Sequence, residues 1–219
     1  MRKIFQIWFA FFAASLFYAC DKEDDFVYPD LVTEIVCLQT DAQGYGYRLL
    51  TDEGKEWNIP SKQRPSKLTP DSIYRVISQY APSYSEKESK EANIYLLQSA
   101  ISPLPQPASS FEKTYTDPVS IQSIWKSGEY LNLILKVMYK DQEHMLAFID
   151  DGTILTEDGR KELSITLYHD RNNDVEGFYR KFYLSVPLWH YNDILQTGDR
   201  IIFHLNTYEE GMTHRTFTF

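Results

Sequence analysis

The feature that most constrains this chain is its division into short β-prone runs, each closed by turn-forming residues. TEIVCLQT, YGYRLL, KEWNIP, SIYRVISQYAP and NIYLLQSAI follow one another before residue 102. Thr51-Asp52-Glu53-Gly54 supplies a hairpin signal between the second and third. In IYRVISQY, residues Ile73, Arg75, Ile77 and Gln79 alternate with Tyr74, Val76, Ser78 and Tyr80, as in a strand whose two faces differ in burial. No sustained helical periodicity appears, and no repeat of fixed period links the halves. The expected class is all-β, starting with a small five-stranded barrel of the oligonucleotide/oligosaccharide-binding (OB) type.

Three prolines in SPLPQPASS (Pro103, Pro105 and Pro107) mark a break. Each lacks a backbone donor and has a fixed φ, so the stretch reads as an extended spacer that does not continue a ladder. Beyond it come VSIQSIWK, YLNLILKVMYK, HMLAFI, KELSITLYH, FYRKFYLSVPL and the two strands of RIIFHLNTYEEGMTHRTFTF. Lys126-Ser127-Gly128-Glu129, Asp150-Asp151-Gly152 and Glu209-Glu210-Gly211 read as turns, and DRNNDVEG as a loop. Seven strands in about a hundred residues fit an immunoglobulin-like β-sandwich. Ser85 to Ala92 (SEKESKEA) reads as a charged loop or at most one helical turn. The expected organisation is a leader over 1–19, a tether over 20–30, a barrel over 31–102 and a sandwich over 113–219, the last two folding independently.

The leader reading rests on chemistry. Arg2 and Lys3 precede an uncharged run from Ile4 to Ala19, too short for a comfortable membrane span but suited to a secretory signal. Leu16 and Ala19 before Cys20 resemble a lipobox, with Phe17 and Tyr18 in place of its usual small residues. That resemblance implies cleavage before Cys20, a diacylglycerol on its sulfur and a further acyl (palmitate-type) chain on its amine. Two or more chains anchor stably where one does not. The run Asp21, Lys22, Glu23, Asp24, Asp25 then serves as a solvated tether. It resembles the acidic signal that carries Bacteroidales lipoproteins to the outer face of the outer membrane.

Composition excludes several functions. The chain has 219 residues and a formal charge of −9, which becomes about −11 once Arg2 and Lys3 leave with the leader. The one basic stretch, Lys62, Arg64 and Lys67, is broken by Pro65, so nucleic acid is not an expected partner. With Cys20 lipidated, Cys37 has no partner for a disulfide, and its apolar run makes it a buried core residue. The five histidines, His144, His169, His190, His204 and His214, form no ligand motif and read as polar residues at strand ends. Asp170, Asn172 and Asp174 copy the start of a calcium loop, but Val175 stands where Gly belongs and Lys181 where the bidentate Glu belongs. A polar hairpin loop is the better reading. GxSxG, SxxK and the phosphate-cradling glycine motifs are missing, so no catalytic residue, metal or cofactor is assigned.

DPVSIQSIWKSGEYLNLIL, His144, LSITLYHDRNND and FYRKFYLSVPL together resemble the C-terminal domain of NigD-like lipoproteins. The strand, turn and TDEGKEW hairpin of the first block are similar to that family's first domain. The resemblance implies an OB-like domain followed by an immunoglobulin-like one, and brings no catalytic residue. The expected function is that of a non-catalytic, surface-exposed binding module, held to the membrane by its lipid and engaging a protein or glycan through exposed aromatics. Candidates are Tyr45, Tyr47 and Trp57 in the barrel and Trp189, His190 and Tyr191 in the sandwich, with Trp125 assigned to the core. A bacteriocin-immunity or structural accessory role is the alternative, and a glycan-active enzyme is the reading the motifs support least.

Two outcomes test the anchor. Cys20→Ala should release the protein from the membrane fraction or leave an unprocessed precursor. Neutralising Asp21, Glu23, Asp24 and Asp25 should remove it from protease attack on intact cells without unfolding it.

Overall fold

The computed structural model describes residues 29–84 and 90–219; Cys20, the acidic run 21–25 and the SEKES segment 85–89 lie outside these. Five strands, β1 (Val32–Thr40), β2 (Gly46–Leu50), β3 (Glu56–Asn58), β4 (Ile73–Tyr84) and β5 (Lys90–Ser99), close into a barrel in the order β1-β2-β3-β5-β4. All ladders are antiparallel except the β3–β5 closure, which is the OB-like arrangement. Lys90 to Ala92, read from sequence as loop, open β5, where Tyr84 pairs with Lys90. Val36, Leu38, Leu49, Trp57, Ile59, Val76, Tyr80 and Ala92 fill the interior.

Strands β1 and β4 are buried on both faces. Val36 faces Val76 across one side of the ladder, and these point into the barrel. Ile35 opposite Ile77, and Cys37 opposite Arg75, share the other side, yet all four are buried. A barrel exterior this apolar must be covered. Over Cys37 and Arg75 the cover is the sandwich, through Tyr130 and Ser185.

That sandwich comprises β6 (Gln106–Pro107), β7 (Ser120–Ser127), β8 (Tyr130–Tyr139), β9 (Met145–Leu155), β10 (Lys161–Asp170), β11 (Phe178–Pro187), β12 (Arg200–Thr207) and β13 (Gly211–Thr218). One sheet runs β13-β12-β10-β9-β6, with β10 and β12 parallel, and the other β11-β8-β7. Leu131, Leu133, Leu135 and Val137 of β8 meet Leu184 and Val186 of β11 and Phe148, Leu163, Ile165, Ile201 and Phe203 of the facing sheet. These alternate positions are fully buried, as a two-layer core requires.

Three expectations change. Trp125 is only half-buried, because register places it in a row with Asn132 and Ser185 on the outward face of the three-stranded sheet. Asp150-Asp151-Gly152 is no turn: β9 runs through it with a bulge opposite Ser164 and Ile165, and the reversal comes at Thr156 to Gly159. The proline stretch is no idle spacer. Ile101 exchanges backbone bonds with Tyr183 and Ser185 on one sheet, and Gln106-Pro107 then pairs along β9 in the other. Proline is tolerated there because β6 is an edge strand.

The β7–β8 turn abuts the barrel. Gly128 has φ +52°, and a Cβ there would sit 2.5 Å from the Asp52 carbonyl oxygen. Gly128→Ala should cost about 1–3 kcal/mol from strain and displaced backbone, read as a lowered denaturation midpoint; an unchanged midpoint would mean the turn does not press on the barrel.

Candidate binding cleft at the junction of barrel and sandwich

Arg75 projects from the outer face of β4 toward the sandwich, its side chain 3% exposed. Its guanidinium pairs with Asp52 of the β2–β3 turn: Nη2 donates to Oδ2 at 2.8 Å, and Nη1 lies 2.7 Å from Oδ1 as an ion-pair contact. It also donates through Nε to Ser185 Oγ at 2.9 Å and through Nη2 to Asn132 Oδ1 at 3.1 Å. Asn132 Nδ2 completes the circuit to Asp52 Oδ2 at 3.0 Å, and Ser185 Oγ donates to Asn132 Oδ1 at 2.6 Å. Two residues of each half thus share one buried network. The Tyr130 ring lies 3.8 Å from the guanidinium carbon, a cation–π contact. Burial alone would lower the Arg75 pKa, but the paired Asp52 carboxylate brings the net shift above the ordinary value. Burial, then the Cys37 thiol 3.5 Å away, pushes the Tyr130 phenol up, so it stays a neutral hydroxyl. Cys37 is a free, buried cysteine.

Above this network opens a cleft of about 570 Å³, lined by Leu50, Ile73, Glu129, Tyr130 and Trp189 with Cys37 and Asp52. A second hollow of about 210 Å³ shares Ile73, Tyr130 and Trp189 and reaches Arg75, Ser102 and Pro187. Ile73 is 65% exposed and Trp189 43% exposed, so large apolar side chains face solvent on both banks.

Local sequence explains how Trp189 is presented. Pro187 ends β11, and Leu188 to Tyr191 form a single 3₁₀ turn. Residues three apart eclipse in such a turn, so Leu188 and Tyr191 both point inward, each 1% exposed, while Trp189 and His190 point out. The Leu188 amide donates to the Glu129 carbonyl at 2.8 Å, and the Tyr191 hydroxyl to Asp150 Oδ2 at 3.0 Å. The turn is held at both ends.

The sequence candidates are therefore divided. Trp189 lines the cleft, His190 is exposed outside its lining and Tyr191 is core. Trp57 fills the barrel, edge-on to Tyr84, whereas Tyr45 is exposed and Tyr47 lies under Arg48. Neither joins the cleft lining. Tyr130, Ile73 and Arg75 were not singled out, although the isolated Arg in an otherwise β-apolar IYRVIS run was the available signal. His144 and His169, read as strand-end residues, are in fact buried in contact with each other at 3.0 Å. Asp174, read as part of a polar hairpin, turns inward to His144. Among the described residues no group of three or more His, Cys, Asp or Glu could hold a metal ion, and no helix is long and apolar enough to cross a membrane.

The profile of the NigD-like C-terminal β-sandwich domain matches residues 102–219. A solved NigD-like immunity protein from Bacteroides caccae is 30% identical; the match covers 87% of this chain and 94% of that one, with a TM-score of 0.69. A Bacteroides vulgatus protein of unknown function, 16% identical, superposes over 86% of this chain and 91% of that one with a TM-score of 0.65. A candidate lipoprotein from Bacteroides fragilis, 12% identical, does so over 87% and 97% with a TM-score of 0.58. At those lower identities the likeness is one of fold. No curated protein matches the chain.

The Arg75–Asp52 pair gives a prediction of unusual shape. Arg75→Met strands a buried carboxylate and should cost about 3–5 kcal/mol, whereas Arg75→Met with Asp52→Leu should recover most of it. Urea denaturation of both variants checks this; equal, small losses would mean the pair is not desolvated.

Proposed function

The chain belongs to the NigD-like family, and from that premise we propose that it is a non-catalytic lipoprotein that works by binding a protein or glycan in the cleft between barrel and sandwich. The observation that carries this reading is the pairing of exposed Trp189 and half-buried Tyr130 on one wall of a preformed hollow above the Arg75–Asp52–Asn132 network. An aromatic wall stacks on a sugar face or an apolar side chain, and it costs little ordering because the 3₁₀ turn holds Trp189 in place. A floor of mutually bonded Arg75, Asp52 and Asn132 gives the hollow a fixed shape, which supports recognition. Lipid attachment at Cys20 and the acidic tether over 21–30 complete the proposal: they would hold the module at the outer face of the outer membrane, where macromolecules are met.

The B. caccae relative supports a second reading, in which the bound molecule is a bacteriocin and binding confers immunity. Both readings use the same surface and differ in ligand.

Trp189→Ala should weaken capture of the ligand by about tenfold or more while leaving the denaturation midpoint unchanged. Pull-downs from intact cells and a glycan array with wild type and variant provide the measurement. Hydrolysis of an array glycan or a peptide, abolished by Glu129→Gln, would overturn the non-catalytic reading. Equal capture by both proteins would move the binding surface elsewhere.

A further inference from the structure

A second buried polar cluster lies within the sandwich, apart from the cleft lining. His144, in the loop between β8 and β9, has a side chain fully excluded from solvent; His169 on β10 is 1% exposed, and the Asp174 side chain, in the β10–β11 loop, is 1% exposed. The three form a chain of contacts. Asp174 Oδ2 lies 3.2 Å from His144 Nε2, His144 Nδ1 lies 3.0 Å from His169 Nε2, and His169 Nδ1 lies 2.9 Å from the Asp117 carbonyl oxygen.

Counting protons along this chain fixes its charge. The Asp117 carbonyl only accepts, so His169 Nδ1 carries a hydrogen. Asp174 receives the backbone N–H of Lys140 at 2.7 Å, Asp141 at 3.3 Å and Val175 at 3.0 Å, a set that favours an ionised, accepting carboxylate. His144 Nε2 must then also carry a hydrogen. The contact between the rings needs one more. That makes three protons on four ring nitrogens, whereas two neutral imidazoles bring two and two imidazolium ions bring four. With four, N–H would face N–H across 3.0 Å.

We propose that His144 and His169 form a single-proton clasp: the pair shares one extra proton and, with Asp174, ties the 140–144 and 171–177 loops to β10, and a second proton, arriving on acidification, opens them.

The groups around the pair set the direction. The segment before β7 contributes Tyr115 and Asp117, whose carboxylate lies 3.6 Å from Arg171. β10 contributes Asp170, the 140–144 loop Lys140 and Asp141, and β8 Tyr139, which packs on His144 with Arg180 over its ring. Burial, reinforced by the positive charge on His144, holds His169 below its ordinary value of 6.5 despite Asp117 and Asp170. A folded-state value below the unfolded one gives stability that is present above 6.5 and is lost as pH falls beneath it. Asp174 titrates elsewhere. Burial would raise it, but the Lys140, Asp141 and His144 bonds bring it down to about 2, so its contribution is lost only between 3.8 and about 2. Loosening that begins as pH falls below 6.5 therefore belongs to His169.

The test uses the whole chain with ¹⁵N-labelled histidine. At pH 7.5 the ring nitrogens of His144 and His169 should together report three protonated sites and one bare one. As pH falls below 6.5 the last bare nitrogen should take up a proton, and amide-exchange protection at Lys140, Asp141 and Val175 should fall, by up to about tenfold per pH unit after correction for intrinsic rates. Amides of β8 and β12 should keep theirs. His169→Gln supplies one donor and one acceptor without a titrating ring, so it should keep near-ultraviolet circular dichroism at pH 7.5 and flatten that profile. Two neutral rings at pH 7.5, or loop amides protected equally at pH 7.5 and 5, would overturn the clasp. If His169→Gln does not fold, the wild-type nitrogen count still decides.

Discussion

The bonds that the Arg75–Asp52 pair makes to Asn132 and Ser185 set the relation between the two halves of this protein. A barrel resting on a sheet through apolar contact alone would be held by a force that has no direction. Such a surface can slide by a residue or rotate at little cost. Arg75 removes that freedom, because its planar fork meets two carboxylate oxygens, a hydroxyl and an amide at once. Only one placement of the β2–β3 turn against Asn132 and Ser185 satisfies all of them. The desolvation of both charges makes the pair a weak source of net stability and a strong source of uniqueness. The cleft inherits its shape from that placement, since Leu50 and Ile73 stand on one side of it and Tyr130 and Trp189 on the other.

How much of this was legible beforehand follows from the range of each interaction. Strands were readable because alternation and turn residues are local: the barrel strands, the Thr51 to Gly54 reversal and most sandwich strands fall where pattern put them. Errors came where a distant partner changed the meaning of a local signal. The Asp150-Asp151-Gly152 triplet has turn chemistry, yet pairing with β10 on one side carries the strand through it as a bulge. Pro107 does lack a donor, but an edge position needs only one side of the backbone. Trp125 has the size of a core residue, and its register parity sends it to the outer face.

The clusters were harder still. His144 and His169 stand 25 positions apart, and nothing in HMLAFI or KELSITLYH says that β9 and β10 set Leu146 opposite His169. Antiparallel register does that, and it cannot be read from either strand alone. The Asp170, Asn172, Asp174 spacing drew the eye for calcium, while the real role of Asp174 was to turn inward and accept the amides of Lys140, Asp141 and Val175. Arg75 is the informative exception. A single charge in the middle of a strand with two apolar faces needs a partner, and the hairpin Asp52 was available in the same domain. What the sequence could not show is that Asn132 and Ser185, from the other half, would complete its shell.

Both polar clusters sit where the chain must join pieces that apolar packing alone leaves loosely oriented. Arg75 and Asp52 orient barrel on sandwich, and His144, His169 and Asp174 tie two loops to the strand between them. Their chemistry differs in one respect. A guanidinium keeps its charge across the accessible pH range, so the junction and its cleft have a fixed geometry. An imidazole can change charge within that range, and burial holds the His169 ring below its ordinary value. The fold thereby joins one pair of its pieces through a permanent charge and another through a titrating ring.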